Sequence, residues 1–140
     1  SHVSCARGGH PFRPMHQGRA LPLVELPTTM PTMDEVLGRN GVGPREVARA
    51  LAAWVLPGGL NVFTLHGEVE GRAMLEPFKE LLSRLQDQGV DFQTLARAAN
   101  QAADAGNIPA EDVRWGLARG RAGRVACQAS YLGKREVAPC

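Results

Sequence analysis

Four of the 140 residues are histidines, at positions 2, 10, 16 and 66, and His66 has the surroundings that suggest chemistry. It follows the short β-rich run Leu60-Asn-Val-Phe-Thr-Leu65 and precedes Gly67-Glu68-Val69-Glu70. In parallel α/β folds, side chains at the C-terminal ends of strands face the functional crevice. An imidazole there, with two carboxylates within four residues, suits proton transfer near neutral pH. His66 is therefore the candidate catalytic residue. The structural alternative is a histidine that caps the strand end or the helix after it. Glu68 and Glu70 are equally two-sided, since acidic residues at a helix N-terminus offset the macrodipole. His10 and His16, separated by two prolines, lack the spacing of a helical zinc pair and read as surface loop, with metal binding the lesser alternative. Gly8-Gly9, Gly38–Gly43 and Gly58-Gly59 match neither a dinucleotide fingerprint nor a P-loop, and no nucleophile elbow occurs.

The elements that must position His66 follow from periodicity and breakers. Residues 1–33 carry six helix-breaking sites, Gly8-Gly9 and five prolines, and read as extended chain and loops, with Leu23–Leu26 as a short strand ended by Pro27. Asp34–Leu37 is one helical turn stopped by Gly38. Pro44 suits the first position of a helix whose stripe is Val47, Leu51, Trp54 and Val55, ended by Gly58-Gly59. The strongest helix spans 70–88, with Met74, Leu75, Phe78, Leu81, Leu82 and Leu85 on one face and Gly89 at its C-cap. Residues 60–65 and 90–93 flank it as strands, and an Ala-rich helix covers about 94–105. Strand, helix and strand make a βαβ unit, so the expected class is α/β with a parallel sheet. Residues 1–110 form the folded part, and 111–140 a basic, irregular tail with one amphipathic turn near Val113–Leu117.

Composition narrows the function classes. Lys and Arg number 16 against 14 Asp and Glu, a net charge of +2, which argues against a polybasic nucleic-acid binder. The charge is uneven: residues 31–110 hold seven basic and ten acidic residues, while 111–140 hold six basic and three acidic. Cys5, Cys127 and Cys140 contain no C-x-x-C, so neither a zinc module nor a disulfide scaffold is expected, and a reducing compartment is the default. The longest apolar run, Leu51–Leu56, is far shorter than the roughly 20 residues that span a bilayer core. The chain starts at Ser1 with no signal-peptide pattern, and an upstream portion is expected to be missing.

Several segments together resemble one family. Ser4-Cys5-Ala6-Arg7-Gly8 followed by His10-Pro11-Phe12 is similar to S-D-x-R-G-x-x-P-F, and Leu26–Glu35 to L-P-x-T-L-P-T-x-D-E. Asn61–Gly71 is close to V-x-T-I-H-A-E-V-E-G, and Gly123-Arg124 with Cys127-Gln128 is similar to a closing G-R-E-G-W-x-x-x-Q. These are motifs of the 4-deoxy-4-formamido-L-arabinose-phosphoundecaprenol deformylases, in the polysaccharide-deacetylase (NodB-homology) superfamily, and they match its C-terminal portion.

The resemblance implies a partial, distorted (β/α) barrel of the NodB-homology type. It implies a metal-dependent amide hydrolase that removes formyl from an undecaprenyl-phosphate-linked formamido-arabinose during lipid A modification. In the full-length family a divalent metal, zinc or manganese, is held by one Asp and two His and activates water, and a second Asp is the base. His66 maps onto the general acid that protonates the departing amine, and Arg7, Glu68 and Glu70 onto the substrate-binding side. The T-F-D-D and H-x-x-x-H motifs that supply base and metal ligands are absent, so no metal residue is assigned here, and Cys5 stands where the family pattern has Asp. A closed β/α barrel needs about 200–250 residues, so this chain is expected to be a fragment. The implied location is the cytoplasmic face of the bacterial inner membrane, peripherally bound, with no nucleic-acid partner. The alternative is a non-catalytic α/β module whose basic ends contact an anionic partner or a membrane surface.

Overall fold

A computed structural model describes residues 1–118 and 121–132. The chain divides into two compact units, one of residues 30–92 and one of residues 1–29 with 93–140.

The unit of residues 30–92 is helical. Helix α1 (Met33–Val36) is followed by α2 (Val47–Ala52) and α3 (Leu75–Asp87). Glu35 is three residues into the first turn, and its Oε2 accepts the Thr32 backbone N–H at 3.0 Å, which fixes where α1 starts. Met33, Val36, Val47, Ala48, Leu51, Ala52, Met74, Leu81 and Leu85 form one buried cluster, with Phe63, Val69, Phe78 and Val90 packed against it. Val47 and Leu51 of the expected stripe thus meet α3, but α2 starts only at Val47 and stops at Ala52, so Trp54 and Val55 lie beyond it.

Two expectations are corrected here. Residues 60–65 run extended, with the Met30 N–H donating to the Val62 carbonyl at 3.2 Å, but they form no strand ladder, and neither do residues 90–93. The predicted βαβ unit is therefore not formed. Among the described residues of this unit no strand lies alongside either segment, so β propensity alone does not make a sheet. The predicted helix 70–88 begins regularly only at Leu75, after a π-turn at Val69–Ala73. Pro77 is the cause: its ring would clash with the carbonyl four residues back, at Ala73, whereas at the third helical position its missing N–H costs nothing.

The other unit holds the sheets. Strand β1 (His2–Val3) pairs in parallel with β4 (Val24–Glu25). Strand β2 (Arg13–His16) pairs antiparallel with β3 (Arg19–Ala20) and parallel with β5 (Ala110–Glu111). Helix α4 (Leu95–Asp104) starts at Thr94, whose hydroxyl accepts the Arg97 N–H at 3.2 Å. Phe12 and Leu26 are fully buried, and Ala6, Val24, Ala98, Ala99 and Cys127 are buried as well. The expected short strand at 23–26 is present as β4.

Residues 111–128, expected as irregular tail, instead contain an antiparallel pair, β6 (Val113–Leu117) with β7 (Arg124–Gln128). The amphipathic turn expected near Val113–Leu117 is a strand because Val113, Trp115 and Leu117 alternate with Arg114 and Gly116, a period of two. Arg119, Gly120 and the tail residues 133–140 lie outside the described residues. The fold is mixed α/β, with three small sheets and no closed barrel among the described residues.

Candidate active site

His66 is fixed by its neighbours on both sides in sequence. Its carbonyl accepts the N–H groups of Val69 at 2.8 Å and Glu70 at 3.0 Å, opening the π-turn. In return, its own N–H donates to Glu70 Oε2 at 2.8 Å. Glu70 is only 2% exposed, and its Oε1 has no hydrogen-bond partner among the described residues. A buried carboxyl oxygen without a hydrogen-bond partner costs stability. π-turns of this kind often occur at functional sites.

The ring of His66 meets α1. Its Nδ1 lies 3.3 Å from Asp34 Oδ1, and both side chains remain partly open to solvent. Burial acts against the Asp34 charge, but the Thr32 side chain, the Asp34 backbone N–H and the His66 ring together hold its carboxyl below the ordinary value. Asp34 is therefore an anion beside Nδ1. It favours the tautomer with the proton on Nδ1. An imidazole held in this way can exchange a proton through its other nitrogen, Nε2. This is the geometry of an acid–base histidine with an orienting carboxylate.

Asp34 was not singled out by spacing, because 32 residues separate it from His66. Its only signal was its place in the Pro31-Thr32-Met33-Asp34-Glu35 segment. Glu68 is exposed at the start of the π-turn, and Glu70 holds the His66 backbone, so of the two carboxylates Glu70 is the one tied to His66.

Arg7 belongs to the other unit. Its N–H donates to the Ala126 carbonyl at 2.8 Å and its carbonyl accepts from Gln128 N–H at 2.7 Å, joining the Arg7–Gly8 segment to β7. Its charge acts on Cys127, where burial is the larger effect and pushes the thiol up.

No described residues fit a resident catalytic metal. No group of three or more His, Cys, Asp or Glu side chains comes together among them, and a catalytic zinc takes three protein ligands. His66 with Asp34 offers two donors at most.

A second polar cluster, unforeseen in the sequence, lies in the unit containing β6 and β7. Fully buried Gln128 accepts the Gly9 N–H at 2.9 Å through Oε1 and donates to Glu111 Oε1 at 2.8 Å. His10 Nε2 lies 2.8 Å from both Glu111 Oε1 and Gln128 Nε2. Burial opposes the Glu111 charge, but hydrogen bonds from Ser130, His10 and Gln128 hold its carboxyl below the ordinary 4.5. A depressed carboxyl contributes stability that is complete above the unfolded value and is lost as pH falls through the folded one. Acid titration of unfolding is therefore expected to show stability declining below about pH 4.5, and Glu111→Gln is expected to flatten that decline. An unchanged acid limb in the variant would refute it.

No protein-family model matches the chain. Among the curated proteins it is similar to are two called probable 4-deoxy-4-formamido-L-arabinose-phosphoundecaprenol deformylase ArnD. The one from Shewanella sediminis (strain HAW-EB3) is 29% identical over 121 residues, covering 81% of this chain and 37% of the relative. The one from Wigglesworthia glossinidia brevipalpis is 26% identical over 132 residues, covering 94% and 46%. The chain thus spans less than half the length of either relative. The resemblance carried by the motifs extends over most of its residues.

Proposed function

We propose that these residues form the C-terminal, acid-bearing part of a metal-dependent amide hydrolase of the deformylase type. It would remove formyl from a 4-formamido-arabinose carried on undecaprenyl phosphate during lipid A modification. The observation that carries this reading is the pair His66 Nδ1 and Asp34 Oδ1 at 3.3 Å, with the His66 N–H held by Glu70. Hydrolysis of an amide needs a proton delivered to the departing nitrogen, and His66 Nε2 is the atom for it. The metal, the activated water and the base would come from residues outside these 140, on a NodB-type barrel that this chain completes in part. The lipid-linked substrate would bring the protein to the cytoplasmic face of the inner membrane. No helix among the described residues is long and apolar enough to cross a membrane.

The coding DNA upstream of Ser1 tests this directly. The expected result is T-F-D-D followed by H-x-x-x-H in the same reading frame. Neither motif in any frame would remove metal and base and refute the proposal. A fusion of the upstream half of the Shewanella sediminis relative to residues 1–140 gives the biochemical test. Zinc- or manganese-dependent release of formate is expected from the fusion and not from the 140-residue chain alone.

A further inference from the structure

We infer that the β6–β7 hairpin is a docking surface for an anionic lipid bilayer. Alternate residues of a strand share a face, and β6 puts Val113, Trp115 and Leu117 on one, exposed by 42%, 70% and 79%. Across the ladder Trp115 faces Ala126 and Leu117 faces Arg124, so no large apolar side chain of β7 covers them. The other face is packed: Gly116 is buried, and a Cβ there would meet Cys127 Sγ at 3.0 Å as well as Leu132. The hairpin is thus held from one side and presents an aromatic and two aliphatic side chains on the other.

Charge decides what fits that face. The described residues 113–118 and 121–132 contain three arginines, at 114, 121 and 124, and no acidic residue, with Arg114 3.7 Å from Asp112 just before the strand. Arg124 stands directly opposite Leu117, at the most exposed end of the apolar stripe. Tryptophan and arginine are the side chains that settle at the headgroup level, while leucine gains by entering the acyl boundary. A nucleic acid would use the arginines and Trp115 but would gain nothing from Val113 and Leu117. A second protein of acidic surface would satisfy the charge and leave the apolar stripe without a partner. This surface adds to the proposed lipid-linked substrate but does not rest on it. Vesicle binding is read without turnover, so each fails on its own evidence.

The test is flotation of the 140-residue chain with vesicles of 30% phosphatidylglycerol in phosphatidylcholine, against vesicles of phosphatidylcholine alone. Binding to the anionic vesicles is expected, at least tenfold weaker to neutral ones and in high salt. Trp115→Ala with Leu117→Ser is expected to weaken binding at least tenfold, and Arg124→Gln by roughly fivefold. Brominated acyl chains give a readout on the unmodified chain. They are expected to quench tryptophan fluorescence, and Trp115→Phe is expected to abolish that quenching. No binding, quenching that survives Trp115→Phe, or binding unaffected by the double variant would overturn the inference. So would RNA that outcompetes the vesicles, or a dimer that hides Trp115 in solution.

Discussion

His66→Gln, placed in the fusion that supplies metal and base, is expected to lower kcat for formate release by about 10²- to 10⁴-fold, the usual worth of a positioned general acid. KM should change far less, because the imidazole acts on the departing nitrogen and does not hold the sugar or the lipid. Glutamine keeps a polar side chain of similar reach at position 66, and the backbone bond from His66 N–H to Glu70 Oε2 at 2.8 Å involves no ring atom. The variant should therefore fold. Asp34→Asn should cost less than His66→Gln, since it removes the anion at Nδ1 but leaves the proton donor. Its signature is a lower kcat with KM little changed. A His66→Gln fusion that retains turnover within threefold of the parent would eliminate His66 as the acid.

Leu81→Ala is the other large change, this time in stability. Leu81 is 1% exposed on α3, in the same buried cluster as Val47, Leu51 and Met33. Removing a fully buried leucine typically costs about 2–5 kcal/mol, through lost transfer energy and the cavity left behind. The clustered core of residues 30–92 is small, nine buried side chains, so few neighbours are available to collapse into the gap. Urea unfolding followed at helix signals would measure it. A loss below about 1 kcal/mol would mean that the α2–α3 contact is not a packed core. The same core carries α1, so this variant should also loosen Asp34 from His66, whereas the exposed Arg84→Ala on α3 should do neither.

The parts of the fold legible in the sequence are those where a local signal and a packing partner coincide. Val47 and Leu51 of α2 and the α3 stripe are legible because those faces meet, whereas Trp54 and Val55 fall beyond the end of α2 at Ala52. Thr94 and Gly106 bracket α4 with a cap and a left-handed stop, φ 74° at Gly106, and that helix lies within a residue of its expected limits. Residues 60–65 misled for the opposite reason. Val62, Phe63 and Leu65 have β propensity, but a strand exists only where a second backbone supplies its hydrogen bonds. Val113–Leu117 misled through its arginines and glycines, which pointed to a tail, whereas alternation was the informative property. In the candidate site, His66 was found from its position after an apolar run and from the family motif. Its partner Asp34 and the Glu70 clamp needed the fold, because a 3.3 Å contact across 32 residues leaves no periodic trace. The His10–Glu111–Gln128 cluster, joining residues more than 100 apart, left none either.

That cluster also sets an order of events during synthesis. Gly9 and Gln128 are 119 residues apart, and the Arg7–β7 bonds span nearly the same distance. Gly8 fits beneath them only as glycine, since a Cβ there would lie 2.5 Å from Gln128 Oε1 and 2.8 Å from Pro27. Residues 7–9 must wait for Gln128 to be made before their unit can close. Residues 30–92, whose contacts are local by comparison, can condense in the interval. Until Gln128 arrives, Phe12 and Leu26 have no completed core to enter. The nascent chain therefore carries this apolar surface exposed until residue 128 is made, and a holding chaperone has that interval in which to act.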